Sequence, residues 1–298
     1  PIPTVRVKEE VIVLSGSGDG IVDAAAAGLV DGSQLIRYSA SLGDDAAPAL
    51  ETAQMVIVTD SNRDRAHHWR SSQDVHGATE SGGPDADVRR FNAADQRLPI
   101  FDIDIEQLAE TQTVAVQDGP VQAFSSAYGE PFAYLPEHRP VMAVDGDPTT
   151  SWLVADRFTA TGECIELHVD DSIDHIALRQ PDMMPGARTI TRVEIDIDDA
   201  QSGPMVVVLD DRSLTGTGQR IDIAPTGGPS VVTITIVGTS DPQPPVAEAI
   251  GAVGFAEIGV GLAPTVEYIR PPIDAASVAP PETALSFVFN RLRADPQD

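Results

Sequence analysis

The acidic turn A-V-D-G-D-P-T-T-S-W, residues 143–152, carries the side chains best suited to binding a metal ion. Asp145, Asp147 and Thr150 place carboxylate and hydroxyl oxygens around Gly146, which has no side chain and permits a tight turn. Hard cations such as calcium take about six to eight oxygen ligands, backbone carbonyls included. These residue types and their spacing predict a calcium-binding turn, with an ordinary Asp-Gly turn as the alternative.

A further carboxylate of interest lies far along the chain. Glu257 occurs in the run F-A-E-I-G-V, flanked by apolar residues on a predicted strand whose alternation would turn its side chain inward. A buried carboxylate without a partner is costly or becomes protonated, so such a residue needs a cation or a hydrogen-bond donor. A surface glutamate is the alternative.

The loop at residues 125–139 is the best candidate for contacting a ligand through aromatic rings. Tyr128, Phe132 and Tyr134 lie outside any regular alternation, next to glycine, proline and polar residues. Aromatic faces stack on sugar rings, and hydrogen bonds to sugar hydroxyls could come from Glu130, Glu137, His138 and Arg139. The alternative is that the rings plug one end of the fold. Trp152, the last residue of the acidic turn, is predicted to be a core residue, with a sugar platform as the alternative.

The overall charge restricts the classes of partner. The chain has 46 Asp and Glu residues against 19 Lys and Arg, a formal net charge of −27. Nucleic acids and anionic membrane surfaces bind basic patches, so neither is expected as a partner. The single cysteine, Cys164, excludes an intrachain disulfide and a multi-thiolate metal site, and alternation in C-I-E-L-H-V predicts that it is a core residue.

Residues 1–97 are predicted to form a small α/β unit followed by a linker. Apolar runs alternate with helical patterns, which predicts a small parallel sheet with helices on its faces. The predicted strands are 11–15, 35–39 and 55–59, and the predicted helices are 21–30, 46–53 and 63–70. The glycine-rich turn at 15–20 lacks the spacing of a dinucleotide-binding loop and the lysine of a P-loop, so it is predicted to be structural, with Asp19 as the helix cap.

Residues 98–262 have the pattern of an antiparallel β-sandwich or jelly roll. Short alternating segments separated by turns are typical of that class. The predicted strands are 114–116, 165–169, 175–179, 192–197, 205–208, 220–223, 231–237 and 253–260. Residues 263–298 form a proline-rich tail that ends in a predicted strand at 285–293. That strand belongs to neither unit: it either opens a truncated module or pairs with an edge strand such as residues 5–13.

The turn D-G-D-P-T-T-S-W resembles the calcium-turn signature of the discoidin, or coagulation factor five/eight C-type, β-sandwich family. Members of that family mostly bind glycans or lipid headgroups. The resemblance implies a structural Ca²⁺ held by Asp145, by turn oxygens of Asp147 and Thr150, and by Glu257 near the C-terminal strand. Such an ion would fasten the turn to the last strand of the sandwich.

The two units together resemble the soluble C-terminal region of a family of actinobacterial membrane arabinofuranosyltransferases. The resemblance rests on residues 13–30, 58–69, the acidic turn and the tail F-V-F-N-R-L-R-A-D-P. Those enzymes add α-(1→3)-linked arabinofuranose branches to cell-wall arabinan from a polyprenyl-phosphate donor, in a transmembrane portion. Together with the start at Pro1, this resemblance implies that the sequence is a segment of a longer chain and lies on the periplasmic or cell-wall face.

Three functional hypotheses follow from these observations. The first is a non-catalytic segment that binds cell-wall arabinan or a related glycan, with no catalytic residues of its own. The second is a structural scaffold that braces the membrane domain of the parent chain and binds no glycan. The third, a free-standing enzyme using the α/β unit, is the least favoured because the sequence has no recognisable nucleophile or cofactor motif.

Overall fold

The computed structural model describes residues 10–63, 110–129, 136–154, 159–182, 187–198, 203–241 and 251–289. Within these ranges the regular structure is mostly β-strand, with two complete short α-helices, α1 (Gly18–Ala26) and α2 (Ala46–Thr52). The strands, in chain order, are β1 (Val11–Ser15), β2 (Leu35–Tyr38), β3 (Met55–Thr59), β4 (Val114–Asp118), β5 (Val121–Ser125), β6 (Trp152–Val154), β7 (Cys164–Val169), β8 (His175–Arg179), β9 (Ile190–Ile197), β10 (Met205–Val208), β11 (Gln219–Asp222), β12 (Ser230–Thr239), β13 (Val253–Phe255), β14 (Glu257–Gly259), β15 (Val266–Arg270) and β16 (Ala284–Val288).

Four strands form a parallel sheet in the order β16-β3-β1-β2. Strands of a parallel sheet are buried on both faces, and β1 shows this directly. Ile12 and Leu14 share a core cluster with Ala24 of α1, whereas Val13 shares one with Leu50 of α2. The helices therefore cover opposite faces, as the sequence predicts for this unit.

Helix α1 begins earlier than its pattern predicts. Its N-cap is Ser17, and Asp19 lies inside the first turn, so the prediction of Asp19 as the cap is wrong. The backbone N–H of Ser17 donates to Ser61 Oγ at 2.8 Å, and its hydroxyl donates to the Ser61 carbonyl at 3.1 Å. These bonds to the loop after β3 hold the chain where the helix begins. The helix predicted at 63–70 lies almost entirely outside the described residues. Within the described residues, no helix is long and apolar enough to cross a membrane.

The terminal strand β16 completes the parallel sheet. It pairs with β3 in parallel register, from Ala284 opposite Met55 to Val288 opposite Thr59. The prediction that this strand belongs to neither unit is therefore wrong, as is the suggested partner at 5–13, because β1 is flanked by β2 and β3. The chain leaves the parallel sheet after β3, builds the antiparallel part, and returns to the same sheet.

The antiparallel part has two main sheets that share one core. The larger sheet has the order β10-β9-β12-β7-β5, and the smaller has the order β11-β8-β14. Their inward residues belong to a single hydrophobic cluster that includes Ile165, Leu167, Ile195 and Ile234 from the larger sheet and Ile176, Leu178 and Ile258 from the smaller. Two-stranded pairs, β13-β6 and β15-β4, complete the described strands.

Cys164 is not a core residue, which corrects the sequence prediction. On β7 the inward positions are Ile165, Leu167 and Val169, each at most 2% exposed. Cys164 is one position out of phase with them and is half-buried. Burial raises the pKa of its thiol, which disfavours a reactive thiolate.

Candidate functional site

The acidic turn forms a closed loop of short hydrogen bonds just before β6. Asp145 Oδ1 accepts from the backbone N–H of Asp147 at 2.9 Å, and Asp147 Oδ1 accepts from the N–H and the hydroxyl of Thr149 at 2.9 and 2.7 Å. Gly146 has a φ of 78°, and a Cβ there would lie 2.9 Å from Pro264. Glycine is therefore required at this position by both backbone conformation and space.

Oxygen atoms crowd around the hydroxyl of Thr150. Within 3.3 Å of Thr150 Oγ1 lie both carboxylate oxygens of Asp145 and the backbone carbonyls of Met142 and Asp147. A hydroxyl has one proton to donate, so it cannot satisfy all four acceptors. Together with the hydroxyl oxygen itself, these carboxylate and carbonyl oxygens are the donor types that a hard cation binds.

Glu257 approaches this turn from the other side. The backbone N–H of Gly146 donates to its carboxylate, yet Glu257 Oε2 is buried and has no hydrogen-bond partner among the described residues. Burial and then the charge of Asp145 raise the pKa of Glu257 to about 7. The structure therefore brings Asp145 and Glu257, which are far apart in the chain, close enough to interact. Their carboxylates repel each other unless a proton or a cation intervenes.

A break in the last strands places Glu257 here. The sequence predicts one strand at 253–260, but β13 pairs with β6 and β14 pairs with β8, with Ala256 between them. The N–H of Ala256 donates to the Arg179 carbonyl at 2.8 Å. The predicted inward orientation of Glu257 is realised only in part, because Ile258 enters the core and Glu257 is half-buried.

The oxygens present fit calcium only as a mixed set. No group of three or more His, Cys, Asp or Glu side chains close enough to hold a metal ion occurs in the parts of the chain that the structure describes. The Asp147 carboxylate accepts hydrogen bonds from Thr149, so Asp147 would bind the ion through its backbone carbonyl oxygen instead. Carbonyl and hydroxyl oxygens are ordinary calcium ligands, so the donor types suit Ca²⁺.

The raised pKa of Glu257 predicts how stability depends on pH in chelator. A carboxyl whose folded pKa, about 7, exceeds its ordinary value of 4.5 contributes stability that is present at low pH and lost as pH rises through that interval. We expect the melting temperature in chelator to fall between about pH 4.5 and about pH 7, and Glu257→Gln to reduce that fall. Scanning calorimetry of both proteins across the range checks this; parallel curves would contradict it.

Trp152 anchors the turn in the core, as the sequence predicts. It is fully buried, its indole N–H donates to the Ala127 carbonyl at 3.0 Å, and its ring stacks on Phe255 with centroids 6.1 Å apart. Phe255 lies two residues before Glu257 and is also fully buried. This aromatic pair thus fixes the strand that follows the turn against the strand that leads to Glu257.

Tyr128 is not available for stacking on a ligand. It is 2% exposed and belongs to the main hydrophobic cluster, so its assignment as a sugar platform is wrong and the alternative of a ring plugging the fold applies to it. Phe132 and Tyr134 lie outside the described residues. Their assignment stays a prediction.

The two basic candidates of the same loop lie beside the acidic turn. Burial lowers the pKa of His138, which favours the neutral ring, able to donate and accept hydrogen bonds. The guanidinium of Arg139 donates from Nε to Glu267 Oε2 at 2.6 Å, and its Nη2 lies 2.5 Å from the same oxygen. Arg139 therefore fastens this loop to β15.

Comparison with solved structures finds arabinofuranosyltransferases and carbohydrate-binding domains. The chain is similar to the arabinofuranosyltransferase AftD from Mycobacteria, in a mutant form, with 17% identity over 89% of this chain and a TM-score of 0.48. It spans 17–20% of the length of the three AftD structures matched. No protein-family model matches the chain, and no curated protein does.

Two smaller domains match about half of the chain. One is the family 32 carbohydrate-binding module of NanJ from C. perfringens, solved with galactose, with 13% identity over 51% of this chain and 100% of that one, at a TM-score of 0.31. The other is an F5/8 type C domain from Bacteroides fragilis, with 16% identity over 52% of this chain and 98% of that one, at a TM-score of 0.34.

Proposed function

We propose that this chain is a non-catalytic, calcium-stabilised carbohydrate-binding segment of a larger cell-wall arabinofuranosyltransferase. Its antiparallel part would be a discoidin-like module facing the periplasm or cell wall, where it holds arabinan or a related glycan for a membrane-embedded active site. The parent activity would be the addition of α-(1→3)-linked arabinofuranose. The observation that carries the proposal is the convergence of the acidic turn and Glu257.

The calcium ion would be held by a defined set of oxygens. Asp145 and Glu257 would supply carboxylates, Thr150 its hydroxyl, and Asp147 and Met142 their carbonyls. The ion would supply the positive charge that the two repelling carboxylates lack. Its role would be structural, joining the turn before β6 to β14.

A scaffold that braces the membrane domain without binding glycan is the second candidate. Two observations favour it: Tyr128 is buried in the core, and Arg139 is held by Glu267. Both residues, predicted to contact sugar, thus already have structural contacts. The glycan-binding proposal then depends on Phe132, Tyr134 and His138.

Titration calorimetry with an arabinofuranose oligosaccharide separates the two candidates. We expect a dissociation constant of about 1 mM, equivalent to roughly −4 kcal/mol, because an open loop surface buries little of a sugar. Replacing Phe132 and Tyr134 together with alanine should weaken binding about tenfold or more, since it removes the stacking faces.

The matched control is Phe124→Ala, which removes a half-buried ring on the outer face of β5 that contacts His168. It should leave sugar affinity unchanged. An uncharged glucan of equal length tests whether binding is selective for arabinofuranose. If neither sugar gives a heat of binding at millimolar concentration, the result supports the scaffold instead.

A further inference from the structure

An open cleft of about 460 Å³ lies where the parallel sheet meets the β4-β15 pair. Asp60 directly follows β3, and Phe289 directly follows β16. Because these strands pair in parallel, both residues lie at the carboxyl edge of the sheet. Open parallel sheets bind ligands at this edge. The cleft is separate from the acidic turn, and its volume is in the range of small-molecule sites.

The walls of this cleft are apolar and include rings exposed to solvent. Phe287 and Phe289 are 55% and 54% exposed, and their centroids lie 6.1 Å apart. Among the described residues, Ile269 of β15 and Pro271 also belong to the apolar lining. Exposed phenylalanines on one sheet edge are costly to leave in water, and neighbouring rings offer flat faces to a flat apolar group.

Two polar residues also line the cleft, and one has an unsatisfied hydroxyl. Thr113 is 1% exposed, and its Oγ1 has no hydrogen-bond partner in the part of the chain that the structure describes. Asp60 is 2% exposed, and its carboxylate lies 3.2 Å from the guanidinium of Arg63. A buried hydroxyl without a partner calls for an explanation, and a ligand group that hydrogen-bonds to it provides one.

The charges favour a neutral ligand. The Asp60 carboxylate is already compensated by Arg63, and the described residues that line the cleft include no Lys or Arg. The net charge of −27 further disfavours an anion. We propose that this cleft binds a neutral small molecule with a flat hydrocarbon ring system and one hydroxyl group, the ring stacking on Phe287 and Phe289 and the hydroxyl bonding to Thr113.

A pair of probes separates the two parts of this proposal. 1-Naphthol has a flat ring system and one hydroxyl, and naphthalene has the same ring system without it. Titrated into the full chain at neutral pH and followed by probe fluorescence, 1-naphthol should bind saturably with one site per chain. Phe287→Ser and Phe289→Ser should each weaken both probes about tenfold, whereas Phe124→Ser, the matched control, should weaken neither.

Thr113→Val tests the hydroxyl because valine keeps the shape and removes the unsatisfied group. The variant should melt no lower than the parent protein. It should weaken 1-naphthol about five- to tenfold, the value of one hydrogen bond, and leave naphthalene unchanged. No saturable binding, equal weakening of both probes by Thr113→Val, or displacement of 1-naphthol by a neutral oligosaccharide would each overturn the proposal.

Discussion

Removing calcium with a chelator is expected to lower the melting temperature by about 5–10 °C. An ion present at about a hundred times its dissociation constant stabilises the folded state by about 2.7 kcal/mol. Each kcal/mol shifts the melting temperature of a domain of this size by about 2–4 °C. The reason is electrostatic: without the ion, the charge of Asp145 opposes the ionisation of the half-buried Glu257 carboxyl. Differential scanning calorimetry with and without calcium measures the shift.

Single substitutions test whether that shift comes from the acidic turn. Asp145→Ala should melt at the same temperature in calcium as in chelator, because it removes a ligand and the main repulsion on Glu257. Asp211→Ala is the matched control, since Asp211 is an exposed aspartate in another turn. It should keep the full response to chelator. An equal loss of response in both variants would point to unspecific screening of the negative charge.

Alanine at Gly254 is expected to destabilise the sandwich by about 3 kcal/mol or more, because overpacking against the backbone cannot be relieved by a side-chain rotation. A Cβ at this position would lie 1.7 Å from the Trp152 carbonyl oxygen and 3.1 Å from Leu153 Cα. Strands β6 and β13 would have to separate, and with them the Trp152–Phe255 pair. Chemical denaturation gives the free energy of unfolding.

The same substitution should also reduce calcium affinity, because β6 follows the acidic turn and β13 leads to Glu257. Gly228→Ala is the control: no atom lies within 4 Å of a Cβ built there, so it should cost little. Wild-type stability in Gly254→Ala would show that β6 and β13 are not paired as described.

The acidic turn could be predicted from sequence because its geometry is local. Asp145, Gly146 and Thr150 lie within six residues, and their hydrogen bonds to one another follow from turn chemistry. Several strands of the antiparallel part were also predictable: β8 and β10 have the predicted bounds, and β12 extends only a residue or two beyond its prediction. In each case the determining interactions are short-range.

The partner of the terminal strand could not be predicted for the opposite reason. Parallel pairing of β16 with β3 joins segments more than two hundred residues apart in the chain, and nothing in the run A-L-S-F-V specifies a partner. The alternating run after a proline-rich passage instead suggested a separate module. The pairing is decided by which sheet edge remains open.

The burial of Tyr128 and the short strand β15 were missed because their patterns are too short or irregular. Tyr128 lies between Ala127 and Gly129, with no alternation to assign it an inward position. Strand β15, V-E-Y-I-R, is largely exposed and pairs only with β4, so its hydrophobic pattern is weak. The orientation of Glu257 depends on the break between β13 and β14 at Ala256. The apolar pattern of residues 253–260 does not reveal this break.

Calcium titration by calorimetry tests the central claim most directly. It is done at physiological ionic strength, with excess magnesium to suppress unspecific binding of calcium to the acidic surface. The account predicts one calcium ion per chain, lost in both Asp145→Ala and Glu257→Gln and retained in Asp211→Ala. Tight binding that survives Glu257→Gln, or no saturable binding by the unaltered chain, would contradict a metal ion shared between the acidic turn and β14.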